Sequence, residues 1–125
     1  MISSHEGHDF KTTIKESIMI LIFEMIGSAF LTCLYQSFAS SGDVVGFFVG
    51  FFILLIFSAR ISGSHFNPAV TLAFMLRRDT GRFSRKLGIA YILFQFLGAI
   101  LGGLLIWTVF DAHAPLTVYK NDGEG

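Results

Sequence analysis

The stretch Ser62-Gly63-Ser64-His65-Phe66-Asn67-Pro68-Ala69-Val70-Thr71 lies between two long apolar runs and opens a shorter one. That shorter run, Phe66 to Leu76, has eleven residues. Such a run makes about 16 Å of helix, against roughly 30 Å of hydrocarbon in a bilayer. Asn67 is a typical N-cap residue, and Pro68 suits the first position of a helix. The stretch therefore predicts a re-entrant half-helix, over about residues 67–76, that reaches halfway through a membrane.

The composition indicates an integral membrane protein. Of the 125 residues, 53% are hydrophobic, 15 are Phe and only 14% are charged, and the mean hydropathy is +0.66. Soluble domains usually carry about 25% charged residues. The length corresponds to one domain, so we expect a single unit whose main partner is the lipid bilayer.

Three further apolar runs predict transmembrane helices, over about residues 17–39, 44–61 and 87–110. The segment 1–16 is predicted to be an N-terminal tail without a cleaved targeting signal, and residues 111–125 form a polar C-terminal tail. The predicted fold is an all-α membrane protein with three transmembrane helices plus one re-entrant half-helix.

Two polar features lie at membrane depth. Glu24 lies inside the first apolar run, where a carboxylate is costly unless it faces protein and finds hydrogen-bond donors. We interpret it as a structural clamp for backbone amides, and a proton relay with His65 is the alternative. The loop 60–65 must also line a cavity or lie against protein, because its backbone groups have no helical partners.

The distribution of cations predicts the orientation. Eight of the nine Lys and Arg residues lie on one side of the predicted topology, and only Lys120 lies on the other. Those eight are Lys11, Lys15, Arg60, Arg77, Arg78, Arg82, Arg85 and Lys86. By the positive-inside rule, the N-terminus and the basic loop face the cytoplasm, or the matrix of a mitochondrion. The same bias argues against an antiparallel homodimer, and the basic loop is too short to indicate nucleic-acid binding.

Enzymatic and metal-binding functions find little support in the residue pattern. Cys33 is the only cysteine, so the sequence predicts no intrachain disulfide and no metal cluster. His5 and His8 are interpreted as solvated residues. No serine is placed beside both His65 and Glu24 in a nucleophile motif. We predict no catalytic residues and no cofactor.

The central stretch resembles the first pore-loop motif of the aquaporins, the family of water and glycerol channels. The matching pattern is Ser62-Gly63-x-His65-x-Asn67-Pro68-Ala69-Val70-Thr71. Glu24-x-x-Gly27 is similar to the signature of the family's first helix, and Tyr91-x-x-x-Gln95-x-x-Gly98-Ala99 is similar to that of its third. The resemblance extends from Glu16 to Phe110 and covers the first half of an aquaporin.

This resemblance implies a set of pore residues. It places the backbone carbonyls of Gly63, Ser64 and His65 along the pore and offers the Asn67 side-chain amide to passing solute. Pro68 and Ala69 complete the motif, and the aromatic constriction residue of the second helix falls on Phe47. Glu24 braces the loop, and Gln95 supports it. A half-helix that begins at the midplane also opposes cations with the positive end of its dipole.

The sequence carries one such half, without a second Asn-Pro-Ala. We expect a complementary membrane subunit to cover the Asn67 face and complete a pore for water or small neutral solutes. The alternative is a non-conducting structural or accessory subunit of a larger membrane complex. A truncated product without function also remains open at this stage.

Overall fold

The computed structural model describes residues 4–77 and 83–109. These residues form four helices: α1, Ser4–Ser41; α2, Val44–Ala59; α3, Pro68–Leu76; and α4, Arg85–Val109. The two described stretches contain no strand, which confirms the predicted all-helical fold. The predicted tail at 111–125 and the centre of the basic loop, 78–82, lie outside the described residues.

Two helices are long and apolar enough to cross a membrane. They are the segment Lys15–Phe38 of α1, with 24 residues, and all of α4, with 25 residues. Helix α2 is apolar but has only 16 residues, or about 24 Å of helix. Helix α3 has nine residues, or about 14 Å. Length and composition therefore identify two spanning helices, and the predicted count of three also requires α2.

Helix α1 begins at Ser4 and so extends into the segment 1–16, which the sequence analysis treats as a tail. Between Ser4 and Glu16 the sequence contains no proline and a single glycine, Gly7. Adding residues to an existing helix is far easier than starting a new one. The long apolar part of α1 can therefore propagate helix towards the N-terminus through this polar segment.

Polar caps fix where α2 and α4 begin. Asp43 Oδ1 accepts a hydrogen bond of 2.8 Å from the Gly46 amide, after a turn in which Gly42 has a φ of 69°. Ser84 Oγ accepts a hydrogen bond of 3.1 Å from the Leu87 amide. Each side chain satisfies an amide that the first turn of a helix leaves without a partner.

Helix α1 packs against both α2 and α4, and α3 packs against α4. The contact between α1 and α4 is close because α4 has glycines there. A Cβ atom at Gly98 would collide with the Met25 carbonyl, and one at Gly102 would collide with the Ala29 carbonyl. Small residues allow two membrane helices to approach at backbone distance. This close approach brings the first half of α1 beside the middle of α4, where the candidate site lies.

Candidate functional site

The loop between α2 and α3 has a backbone that its own residues do not favour. Gly63 has a φ of 85°, and the non-glycine residues Ser64 and Phe66 have φ values of 53° and 46°. Left-handed conformations at non-glycine residues cost of order 1–3 kcal/mol each and persist only where the surroundings hold them. The neighbouring helices must therefore hold this loop.

Glu24 of α1 is the main contact that holds it. Its side chain is fully buried, and its two oxygens accept four hydrogen bonds. Oε1 accepts from Ser62 Oγ at 2.6 Å and from the His65 amide at 3.1 Å. Oε2 accepts from the Phe66 amide at 2.8 Å and from Gln95 Nε2 at 2.8 Å. These donors offset the cost of removing a carboxylate from water.

The four partners also indicate the protonation state of Glu24. Each one approaches the carboxyl group as a donor. A protonated carboxyl would direct its own O–H at one of them, whereas an ionised carboxylate only accepts. The contact with His65 runs through the backbone amide and not through the imidazole ring. This geometry is that of a clamp on the loop backbone, and it gives no direct contact between the two side chains of the alternative proton relay.

Gln95 and Thr71 link α4 and α3 to the same loop. Gln95 Nε2 donates to Thr71 Oγ1 at 2.9 Å as well as to Glu24. Thr71 Oγ1 lies 3.1 Å from His65 Nδ1 and 3.2 Å from the Asn67 carbonyl oxygen. Both Gln95 and Thr71 are almost completely buried. Together with Glu24 they form the buried polar network, which ties three helices to one loop.

The imidazole of His65 lies in an aromatic cluster. Its ring stacks on Phe74 with centroids 4.5 Å apart and lies 5.4 Å from Phe83 and 5.3 Å from Tyr91. Only 9% of the residue is exposed. The ring is therefore held by packing as well as by Thr71, and it fixes the direction of the backbone at this point of the loop.

Three hydroxyl groups and one glycine complete the attachment. Tyr91 Oη donates to the Ser62 carbonyl at 2.7 Å, and Ser28 Oγ donates to the Phe66 carbonyl at 3.3 Å. Ser64 Oγ donates to the Leu55 carbonyl at 2.8 Å. The Phe66 ring lies against Gly27, where a Cβ atom would overlap it. The loop is thus attached to α1, α2 and α4 at both of its ends.

The opposite face of the loop has polar groups without partners. Asn67 is exposed, and its Oδ1 accepts from the Ala69 amide at 2.8 Å. Because the oxygen caps α3, the Nδ2 group points away from the cap, and no acceptor for it lies among the described residues. Within residues 4–77 and 83–109, the carbonyl oxygens of Gly63, Ser64 and His65 likewise receive no hydrogen bond. Donor and acceptor groups are therefore available side by side near the start of α3.

The structure places the predicted site residues in two groups. Glu24, Gln95 and the loop residues from Gly63 to Ala69 lie together, with Pro68 at the first position of α3. Phe47 lies apart on α2 and packs against Tyr35, Phe48 and Phe51, at centroid distances of 6.3, 5.5 and 6.1 Å. In the described part of the chain, α2 and α3 do not pack against each other.

Sequence reasoning did not assign site roles to several residues that hold the loop, namely Ser28, Ser62, Thr71 and Tyr91. A signal was present for two of them. Tyr91 and Gln95 are four residues apart and share a face of α4, and Thr71 lies four residues after Asn67 on the same helix. The partners of Ser28 and Ser62 depend on tertiary packing, which local spacing does not reveal.

Comparison with known proteins agrees with this geometry. The chain matches the family described as Major intrinsic protein over residues 4–123. A probable aquaporin of the NIP type from Nicotiana alata is 34% identical over 73% of this chain and 33% of its own length. A glycerol uptake facilitator protein from Streptococcus pneumoniae is 36% identical over 59% of this chain and 32% of its own. An aquaglyceroporin from Rhizobium meliloti is 42% identical over 47% of this chain and 24% of its own.

The matched part of these curated relatives is about a quarter to a third of their length. No solved structure gives a significant match. The family match nevertheless covers nearly the whole chain, and it agrees with the apolar helices and the Asn67-Pro68-Ala69 loop on the page. The chain is an integral membrane protein, and it belongs to the major intrinsic protein family of aquaporin-like channels.

Proposed function

We propose that this chain contributes one pore half of a channel for water or small neutral solutes, completed by a complementary membrane subunit that covers the Asn67 face. The observation that carries the proposal is the availability of the Asn67 Nδ2 group. The oxygen of the same amide is committed to capping α3, so the amide presents only donors outwards. A passing hydroxyl or water oxygen can accept from it.

The topology proposed with this function has α1, α2 and α4 crossing the membrane and α3 entering from one side. Helix α2 is short for a span, but its side chains suit contact with lipid or with apolar protein. Its exposed large hydrophobic residues are Val44, Val45, Phe48, Val49, Phe52, Ile53, Ile56 and Phe57. In this topology the N-terminus and the basic loop lie on the cytoplasmic or matrix side.

Selectivity in this proposal follows from charge. The amide of Asn67 and the N-terminus of α3 present hydrogen-bond donors and the positive end of a helix dipole. A neutral solute exchanges hydrogen bonds with these donors and with the carbonyls of Gly63, Ser64 and His65, whereas a cation meets a barrier. Phe47 supplies an apolar constriction wall further along. Glu24 and Gln95 do not meet the solute and only hold the loop.

The relatives define the class of solute. Their printed names include both aquaporins and glycerol uptake facilitators, so water and small polyols are the solutes to test. The preparation is the protein purified from its native membrane with the subunits that accompany it, reconstituted in liposomes. Osmotic shrinkage in sucrose reports water permeability, and glycerol uptake reports the polyol.

The variant Asn67→Ser sharpens this test. Serine caps a helix about as well as asparagine, but it removes the two amide donors. We expect the wild-type assembly to raise water or glycerol permeability above the lipid background and the variant to lower it severalfold. Ser37→Ala, at an exposed position of α1, is the control and should conduct as the wild type does. Permeability at the lipid background in a correctly assembled wild-type sample would refute the channel.

A second candidate function is a non-conducting structural subunit of a larger membrane complex. It is favoured by the fact that, in the described part of the chain, every buried side-chain nitrogen and oxygen has a hydrogen-bond partner. The loop can therefore keep its conformation with no solute present. The composition of the purified assembly separates the two functions. A partner with its own Asn-Pro-Ala half supports the channel, and many unrelated subunits support the structural role.

A further inference from the structure

The outer surface of α2 carries two adjoining hollows that the proposed pore does not explain. The first has a volume of about 290 Å³ and lies at the turn between α1 and α2, where its walls include Tyr35, Phe38, Asp43, Phe47 and Phe48. The second has a volume of about 410 Å³ and continues along the helix, lined by Phe48, Val49, Phe51, Phe52 and Leu55. Phe48 belongs to both. We call these two hollows together the α2 strip.

The first hollow combines aromatic rings with a carboxylate. Asp43 Oδ1 accepts the capping hydrogen bond from the Gly46 amide. For Oδ2 the described residues supply neither a hydrogen bond nor an ion pair. The tyrosine and phenylalanine rings around it are half-buried or exposed. Ammonium groups bind well against aromatic rings, and trimethylammonium groups do so in cages of such rings. The charge and the rings together favour an organic cation.

The second hollow has the chemistry and the length of a hydrocarbon site. From Asp43 to Leu55 the helix rises by about 18 Å, which is close to the half-thickness of a bilayer, roughly 15 Å. Phe48 and Phe52 are each 61% exposed and face this surface. A molecule that fills both hollows therefore carries a cation at one end and a chain about one leaflet long.

We propose that the α2 strip binds one phospholipid with an ammonium headgroup, of the phosphatidylcholine or phosphatidylethanolamine class. The ammonium lies among the aromatic rings beside Asp43, and one acyl chain lies along Phe48, Phe52 and Leu55. The lipid belongs to the leaflet opposite the basic loop. This inference goes beyond the proposed function, because it concerns the outside of α2 and holds whether or not the assembly conducts.

The test measures lipid preference on the purified assembly. Phosphatidylcholine and phosphatidylglycerol with identical acyl chains are added in equal amounts, and native mass spectrometry records how much of each stays bound. Asp43→Asn keeps the helix cap, since asparagine caps as well as aspartate, but it removes the charge. We expect wild type to prefer phosphatidylcholine and Asp43→Asn to lower that preference about three- to fivefold.

Two further variants separate the headgroup from the chain. Phe52→Ala should weaken retention of both lipids equally, because it shortens the apolar wall only. Phe96→Ala removes a comparably exposed phenylalanine, 57% exposed on α4, and should change neither lipid. An unchanged preference in Asp43→Asn overturns the proposal, as does wild type with no preference. A photo-crosslinker at position 52 that links to a polypeptide rather than to phosphatidylcholine also overturns it, because a protein then covers the strip.

Discussion

The two faces of the loop between α2 and α3 differ in how their polar groups are used. On the inner face, Glu24, Thr71 and Gln95 are buried and fully hydrogen-bonded to one another and to the loop. On the outer face, Asn67 is exposed and its amide nitrogen has no acceptor among the described residues. The inner face fixes the backbone, and the outer face can therefore hold donors and acceptors ready for a solute.

This difference explains why so many polar residues lie at the centre of an apolar protein. A loop with unusual φ values at Ser64 and Phe66 would collapse to bond its own backbone groups if nothing held it. The hydrogen bonds from Glu24, Ser28 and Tyr91 hold it by its amides and carbonyls at either end. Changes on the inner face should therefore reduce stability, and changes on the outer face should reduce transport.

The largest expected effect is that of Glu24→Gln. The side chain keeps its shape, but one oxygen that accepts two hydrogen bonds becomes an amide group that faces the same donors. We expect a loss of about 3–5 kcal/mol in the free energy of unfolding, measured by chemical denaturation in detergent micelles. Glu16→Gln makes the same chemical change at an exposed position of α1 and should cost less than about 0.5 kcal/mol. Equal losses in the two variants would show that Glu24 does not brace the loop.

Gly27→Ala should produce the next largest effect. Its new methyl group overlaps the Phe66 ring, so the ring and the loop must move, at a cost of about 2–3 kcal/mol. The matched control is Gly103→Ala on α4, where a Cβ atom meets nothing within 4 Å. There the higher helix propensity of alanine should add up to about 1 kcal/mol. The same denaturation assay compares them, and opposite signs are expected.

Thr71→Val tests the link between α3 and α4. Valine has the shape of threonine but leaves Gln95 Nε2 and His65 Nδ1 without their shared partner, which should cost about 1–2 kcal/mol. Thr108→Val is the control, because the Thr108 hydroxyl bonds only the Leu105 carbonyl of its own helix at an exposed position. If the two variants lose the same stability, Thr71 does not join the helices through its hydroxyl.

The sequence predicted the outer face better than the inner face. Asn67 and Pro68 form a local signal, and α3 begins at that point because capping depends on adjacent residues alone. The helical fold was predictable for a similar reason, since apolar runs of this length form helices in a membrane. A partly buried position for Glu24 also followed from the cost of a charge in hydrocarbon.

Most of the inner face was not predictable in this way. The bonds of Ser28 to Phe66 and of Tyr91 to Ser62 join residues 38 and 29 positions apart. They exist because Gly98 and Gly102 let α1 and α4 approach closely, and a sequence pattern does not give that distance. The start of α1 at Ser4 is a second example, since no residue there marks a helix boundary.

The smallest expected effect on stability is that of Asn67→Ser, on the outer face. Serine retains an oxygen that can accept from the Ala69 amide in place of Asn67 Oδ1, so the free energy of unfolding should change by only a few tenths of a kcal/mol. The permeability of the reconstituted assembly should nevertheless fall severalfold, because the two amide donors are lost. Measuring both quantities on one preparation separates the faces of the loop. A loss of stability above about 1 kcal/mol with unchanged permeability would mean that Asn67 serves only as a cap, and that the outer face, like the inner one, is structural.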